Sequence, residues 1–119
     1  MSYVDGFVVP VPKRKIQAYK RMSRKAGKIW REYGAIDYVE CIADDVKPGK
    51  WTSFPQAVKL KAGEAVVFSW IVYPSRKARD RCNAKVMKDP RMADMMDVKK
   101  LPFDGKRMFW GGFKTLLEA

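Results

Sequence analysis

Glu64-Ala65-Val66-Val67-Phe68-Ser69-Trp70-Ile71-Val72-Tyr73 reads as a strand more clearly than any other part of this chain, and the segments on either side of it decide the fold. Its β-branched and aromatic residues suit a pleated surface. Ala62-Gly63 opens it and Pro74-Ser75 closes it, which is turn chemistry at both ends. The apolar run from Ala65 to Tyr73 is the longest in the chain and is interrupted by Ser69, so its length fits a strand and no membrane span is expected.

Downstream, Ser75 is placed to cap a helix running from Arg76 to about Met87. Asp89-Pro90 breaks that helix, and a short helical turn from Pro90 to Met96 follows. Lys106 to Phe113 reads as a last strand, introduced by the turn residues of Leu101-Pro102-Phe103-Asp104-Gly105 and followed by a tail from Lys114 to Ala119. Upstream, Trp51 to Lys61 is irregular or briefly helical, Lys47-Pro48-Gly49-Lys50 is a turn, and Ala35 to Ala43 reads as a strand. Lys13 to Tyr33 is a long amphipathic helix with Ile16, Tyr19, Ser23, Ala26, Trp30 and Tyr33 inward, Ile29 widening the stripe, and Gly34 in the position of a helix-ending glycine. Gly27 within that helix marks either close packing or a local weakness. Tyr3 to Val11 is the first strand, closed by Pro10 and Pro12.

The order is β-α-β-β-α-β. With right-handed crossovers, this gives a single α+β domain over residues 1–119: the ferredoxin-like plait, a four-stranded antiparallel sheet with two helices on one face. The other face must then carry one residue set from each strand. Val4, Gly6 and Val8 are small and apolar and are expected beneath the helices, which puts Asp5 and Phe7 on the open face. Phe68, Trp70 and Val72 join them from the third strand, Met108 and Trp110 from the last, and Glu40 from the second. So apolar a face needs a cover. A second copy packed sheet to sheet would supply one, and base stacking by RNA would be another. The cations argue for the homodimer, because they crowd the two helices on the far side of the sheet from the aromatics. The glycine-aromatic signature of RNA-recognition strands is also absent before Val66.

Composition narrows the chemistry. The 119 residues include no histidine, which removes Ser-His and Cys-His nucleophile pairs, histidine zinc sites and histidine-ligated haem. The net charge of +12 favours acidic partners, with nucleic acid as the alternative reading to a small anionic or apolar molecule. Cys41 and Cys82 form no CxxC motif and read as reduced thiols of a cytoplasmic protein, and the first residues show no secretory pattern. Neither a metal nor a cofactor is expected: Asp44-Asp45 has no third patterned oxygen ligand.

The candidate pocket residues are Asp5, Phe7, Glu40, Trp70, Arg107 and Trp110. Asp5 interrupts an apolar strand, where a carboxylate is either a raised-pKa acid or half of an ion pair with Arg107 or Lys106, and the ion pair is favoured. Arg91 and Arg107 can clamp an anion or pair with Asp89 and Asp104. Met87, Met92, Met95 and Met96 form a soft cluster that suits packing or an adaptable pocket.

Several segments taken in order resemble one known family. Tyr3-Val4-Asp5-Gly6-Phe7-Val8, Glu32-Tyr33-Gly34-Ala35, Asp44-Asp45-Val46, Val66-Val67-Phe68-Ser69-Trp70-Ile71, Asp89-Pro90-Arg91-Met92 and Pro102-Phe103-Asp104-Gly105-Lys106-Arg107-Met108 are similar to the YbaA-like bacterial family, a domain of unknown function in the dimeric α–β barrel superfamily. The resemblance implies the plait and the homodimer, and no established activity. Enzymes of that superfamily use a pocket between sheet and helices, but none of their functional residues maps onto this chain by motif.

Overall fold

A computed structural model describes residues 2–119. In chain order the elements are β1 (Tyr3–Pro12), α1 (Ile16–Glu32), β2 (Asp37–Ile42), α2 (Phe54–Ala57), β3 (Glu64–Tyr73), α3 (Arg76–Lys88), α4 (Ala93–Met96) and β4 (Phe109–Lys114). The sheet is antiparallel, in the order β2-β3-β1-β4, which is the ferredoxin-like arrangement. The two ten-residue strands lie at its centre and the two short ones at its edges.

Local chemistry sets most boundaries. Ser75 caps α3 by accepting from the Ala78 amide at 3.1 Å, and Ser53 caps α2 by accepting from the Gln56 amide at 3.2 Å. Gly34 takes φ of 113° just after α1, a conformation that side-chain-bearing residues rarely adopt. Three expected ranges shift. The first helix opens as a 3-10 turn over Lys13–Lys15 behind Pro12, and the second strand shortens to Asp37–Ile42. The last strand starts at Phe109 because Asp104 accepts from the Lys106 amide at 3.0 Å, closing Gly105–Arg107 into a 3-10 turn.

The register corrects the expected faces. Asp5 pairs with Ile71 and Phe7 with Ser69, so Asp5, Phe7 and Val9 lie beneath the helices with Val67, Ser69 and Ile71. Val4, Gly6 and Val8 are on the open face instead. Trp110 pairs with Phe7, and Glu40 with Ser69, so both also face the helices. Met108 packs against the Val9, Val11, Tyr19 and Val67 cluster, again on the helix side. Phe68, Trp70 and Val72 are on the open face as expected, joined by Phe109 and Phe113. Part of that face is covered within the chain: Val58 packs with Val8 and Val66, and Phe54 meets Phe68 edge-on.

Between the helices and the sheet, Ile29, Ala35, Ile71, Tyr73, Cys82, Val86 and Met92 form the main buried cluster. Gly27 of α1 belongs to the close-packed reading. A Cβ there would stand 2.8 Å from the Tyr38 ring, so the missing side chain is what lets α1 approach β2. Gly-to-Ala in a helix interior ordinarily adds up to ~1 kcal/mol of stability. Here the displaced ring outweighs that gain, and Gly27→Ala is expected to lower stability by about 1 kcal/mol in urea unfolding. An increase in stability would show that the Tyr38 contact is dispensable.

Candidate functional site

The helix-facing side of the sheet is not completely filled. A cavity of about 330 Å³ lies between it, α1 and the chain leading into β4. Phe7, Tyr38, Glu40 and Trp110 contribute from the sheet; Tyr19, Met22, Ser23 and Trp30 come from α1. Met92, Met95, Met96, Leu101, Phe103 and Met108 close it from the segment before β4, and Asn83 and Met87 from α3. The Phe7 and Trp110 rings stack at 5.9 Å along one wall, and Tyr19 meets Phe103 edge-on at 5.6 Å.

Two carboxylates line this apolar space, and each is compensated differently. Glu40 accepts a hydrogen bond from the Tyr19 hydroxyl at 2.8 Å and a longer one from Tyr38 at 3.4 Å. Burial pushes its pKa up, and the hydroxyl donors only partly oppose that rise. Burial and the neighbouring Glu40 charge push both phenols well above their usual range, so Tyr19 and Tyr38 remain neutral donors. Asp5, 1% exposed, instead pairs with Arg79 at 3.0 Å. Burial raises its pKa too, and the Arg79 charge works against it. The Arg79 guanidinium lies 4.9 Å from the centre of the Tyr3 ring, which fixes it from outside. Nearby, Asn83 Oδ1 accepts from Trp30 Nε1 at 3.1 Å and from the Tyr73 hydroxyl at 3.2 Å, which orients its amide.

Of the six candidate residues, Asp5, Phe7, Glu40 and Trp110 line the cavity from the helix side. Trp70 borders it from the far side of the sheet, its ring packed against Phe68 on the open face. Arg107 is not among the lining residues: it binds Glu64 and the carbonyls of Val58 and Lys59, fastening the entry to β3. Asp5 is ion-paired, but with Arg79 from α3 and not with the expected Arg107 or Lys106, since Arg107 is bound to Glu64. Arg91 pairs with Asp89, and also with Glu32.

Sequence reading missed Arg79, which is one of the cations crowding the two helices. Its spacing of three and seven residues from buried Cys82 and Val86 was the available signal. Tyr38 and Asn83 had none, because they depend on which elements meet. Among the described residues, no group of three His, Cys, Asp or Glu side chains is placed to hold a metal ion. The arrangement is a largely apolar space whose wall carries one carboxyl group, Glu40, that is not paired with a cation.

A sequence profile described as "Protein of unknown function (DUF1428)" matches residues 2–105. The uncharacterized protein YbaA of Escherichia coli K12 is 52% identical over 118 residues, covering 99% of each chain, and its Shigella flexneri counterpart matches equally. Among solved structures, Rv0793 from Mycobacterium tuberculosis superposes with a TM-score of 0.55 over 100% of this chain and 99% of its own. At 16% identity it shares the fold.

Two measurements test the electrostatics of the site. Arg79→Ala leaves Asp5 buried without its partner and is expected to cost about 3 kcal/mol near neutral pH, less in acid as Asp5 takes up a proton. The second concerns Glu40, whose raised pKa means that the folded chain holds this proton to higher pH than the unfolded one. Its contribution to stability therefore falls as pH rises above the ordinary value of 4.5. Asp89 has the opposite sign: hydrogen bonds from Arg91 hold its pKa down, so its contribution is lost in acid. Urea midpoints across about pH 4 to 8 should fall less steeply with rising pH in Glu40→Gln than in the parent, and identical slopes would place the Glu40 proton elsewhere.

Proposed function

This chain belongs to the DUF1428 family of unknown function, and we propose that it is a cytoplasmic homodimer that binds a small, largely apolar molecule between its sheet and its helices. The observation that carries this reading is the makeup of the cavity. Its walls are methionine and aromatic side chains, and its polar groups are few and each held by neighbours. Such a combination of a soft apolar wall with a small number of oriented polar groups is typical of ligand pockets. Glu40 is the group placed to exchange a proton with a bound molecule, since its two phenol partners stay neutral. Asp5 is committed to Arg79 and serves the frame.

The homodimer is supported by the open face. Phe68, Phe109 and Phe113 are 42%, 47% and 65% exposed there, beside Trp70 and Val72. Two such sheets can stack without bringing the strongly cationic helices together, because those lie behind the sheet. The same separation disfavours base stacking by nucleic acid, which needs cations around the aromatics. Unpaired Cys41 and Cys82 fit a reducing compartment. No helix among the described residues is long and apolar enough to cross a membrane.

Two tests follow. Light scattering should give the mass of two 13.7 kDa chains at low and high salt, and Phe113→Lys should give one. A parent monomer would overturn the dimer. Indole, a neutral aromatic probe, should shift the methionine methyl resonances of the cavity, and Met95→Trp, which fills the space, should abolish the shifts while the chain stays folded. Shifts unchanged by Met95→Trp would place the probe elsewhere.

A further inference from the structure

Outside the cavity, a groove of about 580 Å³ runs between α1 and β2, and Tyr19, Ser23, Tyr38 and Glu40 line both spaces. The Tyr19–Glu40 hydrogen bond is therefore a shared wall, with apolar space on one side and an open channel on the other. The channel side is cationic. Lys20 and Arg24, one helical turn apart, line the groove, and Arg24, Lys28 and Arg31 line a shallower depression that continues it along Tyr38. These four cations form one stripe of α1 about 16 Å long. None of them makes an ion pair with any described residue, whereas Arg79, Arg91 and Arg107 all do. Glu32, which lines the depression with Arg24, Lys28 and Arg31, is already occupied by Arg91 at 2.6 Å.

We propose that the ligand is an amphipathic anion, an organic acid whose apolar body occupies the methionine-lined cavity and whose carboxylate lies in the α1–β2 groove against Lys20 and Arg24. This rests on the small-molecule reading and adds the headgroup site to it. Three features converge on it. The apolar space and the cationic groove share one wall, so a single molecule reaching past Tyr19 and Tyr38 touches both. The cations are unpaired and so free to meet an anion, and Arg24 can do so through two parallel hydrogen bonds. Glu40 stands between the two ends, where burial raises its pKa and so lessens the repulsion it would impose on the ligand carboxylate. The remaining cations of the stripe extend the positive field along the approach to the groove.

Octanoate and octanol share one apolar body and differ in the headgroup, so they separate the two parts of the proposal. Dissociation constants would be read from the cavity methionine methyl resonances at neutral pH. Octanoate is expected to bind roughly five- to ten-fold more tightly than octanol at low salt, with the advantage shrinking as salt is added. Lys20→Ala/Arg24→Ala should remove that advantage and leave octanol binding unchanged, since both side chains are exposed. Equal affinity for the two probes, or an octanoate advantage untouched by the double variant, overturns the headgroup site and leaves the apolar cavity standing. Failure of both probes to move the methionine methyls overturns the cavity reading as well.

Discussion

The pairing of β1 with β3 along all ten residues of each strand is the constraint on which the other features depend. It places Asp5 opposite Ile71 and Phe7 opposite Ser69, and because side chains alternate strictly, every other assignment on both faces follows. β4 then brings Trp110 beside Phe7, and β2 brings Glu40 beside Ser69. A slip of one residue would move Asp5 to the open face and separate it from Arg79. It would also carry Phe7 out of the cavity. The ion pair and the cavity are thus two consequences of one register.

Asp5 and Glu40 show how a single sheet face can hold two carboxylates for different purposes. Asp5 meets a guanidinium that is itself held by Tyr3, so charge is balanced by charge. Glu40 has hydroxyl donors and no cation, and burial raises its pKa. The first arrangement fixes α3 to β1 and tolerates little change. The second leaves a group that can give or take a proton in an apolar setting. The more loosely held carboxylate sits on β2, an edge strand beside the groove.

The glycine pair of β4 serves the same economy of space. Gly112 lies against the Tyr3 ring, and a Cβ there would collide with it, so the glycine makes room for the aromatic that steadies Arg79. Gly111, on the opposite face, lies within reach of the Phe113 ring. Each glycine accommodates an aromatic on a different side of the sheet. Gly27 does the same between α1 and Tyr38, and Tyr38 in turn touches Glu40.

Element order, and with it the plait, was legible in the chain itself, because hydrophobic period, capping serines and proline-glycine breaks are local signals. The inward stripe of α1 and the outward set of β3 were legible for the same reason. The phase of β1 was not. Both of its residue sets are apolar apart from Asp5, so its sequence offers no contrast between a covered face and an open one, and its sole carboxylate pointed the wrong way until Arg79 was seen beneath the helix. The partners of Glu40, the detachment of Arg107 from the cavity and the wall that cavity and groove share were likewise settled by packing. They depend on which distant segments meet, and the covalent order of residues does not encode a distance between side chains that lie far apart along the chain.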